Sequence, residues 1–168
     1  SIDVTLGRDI TNVKLAVFEG TLTESAAAQK AELIASDASE DAVGELISVS
    51  RTTKVDYSFD ETGVYTVVAA GFDVAGNHKV TDFASFGYLK AGDDANKVIS
   101  LVEATLEEMN YTFTRIDLAT IDTAEKQKLV EERFISPAIA KSTLPCVAYI
   151  SEDELVSIMV NEEDHIRI

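Results

Sequence analysis

The spacing of apolar residues changes once along this chain, near Gly92, and the change calls for a β-rich part followed by a helical part. Before that point apolar residues alternate with others. Val13, Leu15 and Val17 do so within Asn12 to Val17, as a half-buried strand requires. The stretches Ile47 to Val49, Lys54 to Phe59, Val64 to Phe72 and Val80 to Tyr88 are β-branched or aromatic, and the turn-forming runs Asp60-Glu61-Thr62-Gly63 and Ala75-Gly76-Asn77 set off the later ones. Between the first two strands, Ser25 to Ile34 is rich in strong helix formers behind a Ser or Thr cap, which predicts a short helix. These spacings suggest a small β-sandwich over residues 1–92.

After the polar stretch Lys90-Ala91-Gly92-Asp93-Asp94 the period becomes 3.6. Val98, Leu101, Val102, Leu106 and Met109 form one apolar stripe behind an Asp94 cap, with Glu103, Glu107 and Glu108 turned to water, which predicts a helix over about 94–109. Asp122 with Glu125 three residues on has capping-box spacing and opens a second helix, about 122–135, on Leu129, Val130 and Phe134. Ser136-Pro137 starts a further helical turn to Lys141. Cys146 to Ile150, Leu155 to Val160 and His165 to Ile168 read as strands, a hairpin over about 146–168. The fold class expected is α+β, with 93–168 a separate helical segment ending in that hairpin.

A chain of 168 residues suffices for one ordinary domain or two small ones. With 14 basic against 30 acidic residues, a formal charge of -16 shared by both halves, it has no basic patch to hold nucleic acid or an anionic membrane. Apolar runs such as Val64 to Ala70 fall far short of a membrane span. Nothing at Ser1 has the pattern of a secretory signal, so one is expected to have been removed or never present. The single cysteine, Cys146, has no partner for an intramolecular disulfide and no base nearby in sequence, so a buried structural thiol is expected. Asp73 and Asn77 offer too few oxygens for calcium and read as turn stabilisers, and His78 as a solvated loop residue; no metal site is expected.

Two resemblances add to this reading. Gly63 to Asn77 looks like the late hairpin of bacterial immunoglobulin-like modules of surface proteins, which implies an immunoglobulin-like β-sandwich over 1–92 but no site. Leu129-Val130-Glu131-Glu132-Arg133-Phe134-Ile135-Ser136-Pro137 and Ser157 to Ile168, with Asn161-Glu162-Glu163-Asp164-His165 at its centre, resemble the ATP:guanidino phosphotransferases, the family of arginine, creatine and protein-arginine kinases. That likeness reaches back to about Lys97. It implies that Glu163 approaches the substrate guanidinium and Arg167 holds nucleotide phosphate, with ATP and magnesium the cofactors of a completed site. Glu163 and Arg167 are an even number of residues apart, so on one regular strand they would share a face.

The departures from that family are as informative. Its upstream phosphate-binding Ser-x-Arg-x-Arg stretch is replaced by the β-module, Ser50-Arg51-Thr52-Thr53-Lys54 is no substitute, and most of the family's catalytic domain would follow Ile168. The expectation is therefore a composite chain, natural or an engineered join, that binds no cofactor and does no catalysis by itself. One alternative is a part of a functional kinase that phosphorylates arginine with ATP once other chains complete it; another is a single unfamiliar α/β domain in which both resemblances mislead. Missing kinase segments or a second copy are the partners this implies; the ligand of the β-module stays open, and the two resemblances point to different places, the bacterial surface and the cytoplasm.

Overall fold

Antiparallel pairing of three long strands organises the chain. In the computed structural model, which describes residues 2–38, 41–57, 59, 61–132, 134–135, 137–141, 146–152, 154–161 and 166–167, β1 (Ile2–Val4) is followed by β2 (Asn12–Glu19), α1 (Glu24–Ala35), β3 (Val43–Val49), β4 (Thr53–Val55), β5 (Gly63–Phe72) and β6 (His78–Leu89). Then come α2 (Ala95–Glu108), β7 (Thr114–Asp117), α3 (Thr123–Glu131), α4 (Pro137–Lys141), β8 (Val147–Ser151), β9 (Glu154–Asn161) and β10 (Ile166–Arg167). Of the residues singled out in the sequence, Asp60, Arg133, Ser136, Glu162, Glu163, Asp164, His165 and Ile168 lie outside the described ones. One sheet has seven strands in the order β3-β2-β5-β6-β9-β8-β7; a second has three, β10-β1-β4.

The pleat sorts side chains between two covers. Leu15, Val17, Tyr65, Val67, Ala69, Phe86 and Tyr88 face one side, against Ile2 and Val4 of the small sheet and Leu129, Ile135 and Ile139 of the α3–α4 region. Ala16, Phe18, Val68, Ala70 and Phe72 face the other, under Ala27, Ala31 and Ile34 of α1. Buried on both faces, β5 needs its near-continuous apolar run. Thr23 caps α1 by accepting the Ala26 N–H at 3.1 Å, and the stripe Ala27, Ala31, Ile34 is small enough for the helix to lie close to the sheet.

The turn expected to divide the chain, Lys90 to Asp94, follows β6 directly, and the sheet continues across it. β6 pairs in parallel with β9, from Phe86 opposite Ile158 to Leu89 opposite Asn161. Ala148 and Ile158 belong to the same apolar cluster as Leu15 and Val67. Asp94 caps α2 by accepting the Asn96 N–H at 2.9 Å. Val98, Val102 and Leu106 of α2 are fully buried on Leu89, Val147, Tyr149 and Met159. Gly87 permits this approach: a Cβ there would lie 2.6 Å from Val102 Cγ2 and 2.8 Å from Val98 Cγ1.

Several elements differ from the sequence-based expectation. Leu101, counted in the α2 stripe, is 42% exposed, because only the line Val98, Val102, Leu106 faces the flat surface at Gly87. β4 ends at Val55, and Phe59 instead sits among aromatic rings, 4.7 Å from Tyr57, 4.9 Å from Tyr65 and Tyr88 and 5.4 Å from Phe86. α3 stops at Glu131, short of Ile135. β8 and β9 form the expected hairpin, but β10 leaves it and pairs in parallel with β1. β1 and β7 were not foreseen.

Gly87→Ala is expected to destabilise the chain by about 1–3 kcal/mol through overpacking. Combined with Val102→Ala, the loss should be less than the sum of the two single losses, because the second change makes room for the first. Chemical denaturation of the four forms checks this; strict additivity would show that α2 is not seated on Gly87.

Candidate functional site

The residues that resemble a catalytic signature begin in β9, whose middle is buried. β9 runs between β6 and β8, with Ser157 and Met159 at 0% exposure and Ile158 at 7%. It ends at Asn161, opposite Leu89 of β6. Glu163 lies outside the described residues, together with Glu162, Asp164 and His165. Arg167 is placed by its backbone in β10, in register with Asp3 of β1, and its side chain lies outside the description. The two ends of the signature thus belong to different sheets, Asn161 to the seven-stranded one and Arg167 to the three-stranded one.

Beside this strand stands a polar group that the sequence did not announce. The Arg115 guanidinium on β7 donates to Glu103 Oε2 on α2 at 3.0 Å, and the hydroxyl of the wholly buried Tyr149 on β8 donates to the same oxygen at 3.3 Å. Burial, then the Glu103 charge, pushes the Tyr149 phenol well above its ordinary value of 10.0. Phe113 closes the edge of the ring at a centroid distance of 5.4 Å. Read from the helical period, Glu103 faces water; it meets Arg115 only because β7 forms, and four residues of weak strand character gave no signal for that.

A row of hydroxyls crosses the helix-covered face. Thr66 of β5 donates to Gly20 O at 2.7 Å, accepts the Leu22 N–H at 3.2 Å and lies 2.9 Å from Ser85 Oγ of β6, so Ser85 is the donor in that pair. This fixes the connection between β2 and α1. Ser157 of β9 stands opposite Tyr149 of β8, and its Oγ is buried without a hydrogen-bond partner among the described residues.

The remaining sequence candidates have structural surroundings. Asp73 Oδ1 accepts the Asn77 N–H at 2.9 Å, which with desolvation working against it holds the carboxyl below its ordinary value of 3.8 and closes the β5–β6 turn. His78 opens β6 with its ring 5.7 Å from that of Phe72. Cys146 is buried at 2% exposure and its carbonyl accepts the Leu118 N–H. Among the described residues no three His, Cys, Asp or Glu side chains gather to hold a metal.

The phenol shift has a measurable consequence. The folded state favours neutral Tyr149, whereas an unfolded phenol ionises near 10.0, so the unfolded chain gains as pH rises above that value and stability falls. Comparing ultraviolet titrations of the chain and of Tyr149→Phe should show the Tyr149 phenol ionising well above 10.0, and Tyr149→Phe should flatten the alkaline loss of stability. A Tyr149 that ionises near 10.0 would contradict this geometry.

Comparison with known proteins places one part of the chain. Residues 95–168 match the family model of the ATP:guanido phosphotransferase C-terminal catalytic domain. The protein-arginine kinase of Geobacillus kaustophilus is 36% identical over 93 residues, 53% of this chain and 25% of that protein. That of Symbiobacterium thermophilum is 41% identical over 80 residues, 45% of this chain and 23% of that protein. The Staphylococcus epidermidis enzyme is 43% identical over 72 residues, 43% and 20% of the two chains. This chain thus spans about a quarter of the length of the curated relatives it matches. No solved structure matches it. From α2 to β10 the chain is similar to a guanidino-kinase catalytic domain, and its likeness to the Geobacillus kaustophilus enzyme, over 53% of the chain, reaches back into β6.

Proposed function

We propose that residues 95–168 are a guanidino-kinase-like segment that acts structurally in this 168-residue chain, completing a sheet begun by a β-module of the surface type, and that the chain by itself transfers no phosphoryl group. The observation that carries the reading is the pairing of β9, the strand that leads into the signature, with β6, which precedes the stretch matched by the family model.

Phosphoryl transfer needs cations converging on the moving phosphate from several sides. The described residues do not fit that demand. Arg115, the arginine of the matched region whose side chain is described, is committed to Glu103. Arg8 and Arg51 stand outside the matched region, in the β1–β2 connection and just after β3. The net charge of -16 disfavours a polyanion further. In this reading Glu163 and Arg167 are the guanidinium and phosphate contacts by resemblance only. Residues 1–92 are assigned to the immunoglobulin-like type on the strength of the Gly63 to Asn77 hairpin.

The 168-residue chain is expected to bind magnesium-ATP no more tightly than about millimolar, roughly 4 kcal/mol of binding free energy, and to phosphorylate arginine at the rate of a no-enzyme control. Isothermal titration and a phosphoarginine assay, each repeated on Glu163→Gln and Arg167→Ala, check this. Micromolar binding abolished by Arg167→Ala would overturn the proposal.

A further inference from the structure

The row of β6 side chains that meets the main apolar cluster begins, at its exposed end, with a charge. Val80, Asp82, Ala84, Phe86 and Tyr88 alternate along one side of the strand, and the last three belong to or pack against the main apolar cluster. Asp82 stands opposite Ala69 of β5, at the end of the sheet that the β1–β2 connection arches over. Together they enclose a cleft of about 80 Å³, with Val4, Val13 and Ala69 at its base, Leu6 and Ile10 on one wall, and Val80 and Asp82 on the other.

Three features indicate what the cleft accepts. Its walls are apolar, and Val80 at its rim is 48% exposed, so an alkyl chain gains by entering. Its one titratable side chain is a carboxylate in no ion pair among the described residues. Desolvation raises the Asp82 carboxyl above its ordinary value, opposed by the Phe83 N–H that donates to Oδ1 at 2.9 Å. With one oxygen so engaged, the carboxylate suits a point charge better than the two parallel bonds of a guanidinium fork. Gly71 keeps the cleft open, since a Cβ there would meet Ile10 Cγ2 at 3.3 Å and Val80 Cβ at 3.5 Å.

We propose that this cleft binds a primary alkylammonium group, its chain lying between Ile10 and Val80 and its charge on Asp82. The site is independent of the kinase-like segment, so neither proposal stands or falls with the other. The source is either a small free amine or a lysine side chain of a peptide.

Amide chemical-shift titration of the full 168-residue chain with n-butylammonium chloride at constant ionic strength tests it, with 1-butanol as the neutral isostere and Nα-acetyl-lysine amide as the lysine probe. The expected result is millimolar saturation with shifts centred on Gly71, Val80 and Asp82. Asp82→Asn should weaken binding about tenfold or more, as loss of a charged hydrogen bond does. Gly71→Ala should weaken it by narrowing the cleft, and Val80→Ser, at the exposed rim, should do so by removing a wall if either other variant fails to fold. Tighter binding of the lysine probe would assign the cleft to lysine side chains, and tighter binding of butylammonium to small amines. Equal binding of 1-butanol, unchanged affinity in folded Asp82→Asn, or shifts that never saturate would each overturn the proposal.

Discussion

The parallel pairing of β6 with β9 is the contact on which the rest of the structure depends. A parallel ladder cannot be closed by a tight turn, and here the connection from β6 to β9 contains α2, β7, α3, α4 and β8. All of these are positioned by where β9 lands. α2 crosses back over the two paired strands because Gly87 offers a flat place to seat Val98 and Val102. β8 and β7 then extend the sheet outward as antiparallel neighbours. The seven strands share one hydrogen-bonded surface, and the apolar cluster on its first side draws residues from Ile2 to Ile158.

How much of this could be read in advance depended on range. Elements specified by their own residues were legible: Asp94 and Asp122 cap the helices they precede, and the long runs of β5 and β6 become strands flanking the Asp73 to Asn77 turn. Elements specified by a distant partner were not. Ile2–Val4 has no periodicity of its own and is a strand because β4 and β10 lie on either side of it. Lys54 to Phe59 looks like one strand, yet Phe59 gains more from four aromatic neighbours than from a ladder. A boundary at Gly92 was a sound inference from period, but period reports local structure and cannot see a parallel partner.

The candidate site follows the same division. The signature from Asn161 to Arg167 was recognisable because it is contiguous, and the family match over 95–168 agrees with that resemblance. The Glu103 to Tyr149 contact joins residues 46 apart, and the Asp82 cleft joins β5 and β6 to the β1–β2 connection, so neither leaves a motif in the sequence. Asp82 illustrates the limit well. In a list of strand residues it breaks an alternation; only the register with Ala69 shows that the break lies over an opening in the core.

Pairing between the chain's extremities also governs how it is made. During synthesis β6 emerges long before β9, so the edge that will carry Phe86 to Leu89 waits unpaired while the following residues are added. β1 finds β4 early, but its other edge waits longer still, for Ile166 and Arg167 of β10. Contacts so distant in sequence slow folding, because loop closure comes before the contacts that repay it. A chain growing through these residues therefore carries a half-finished sheet whose open edge must be kept from other chains until β9 has been added.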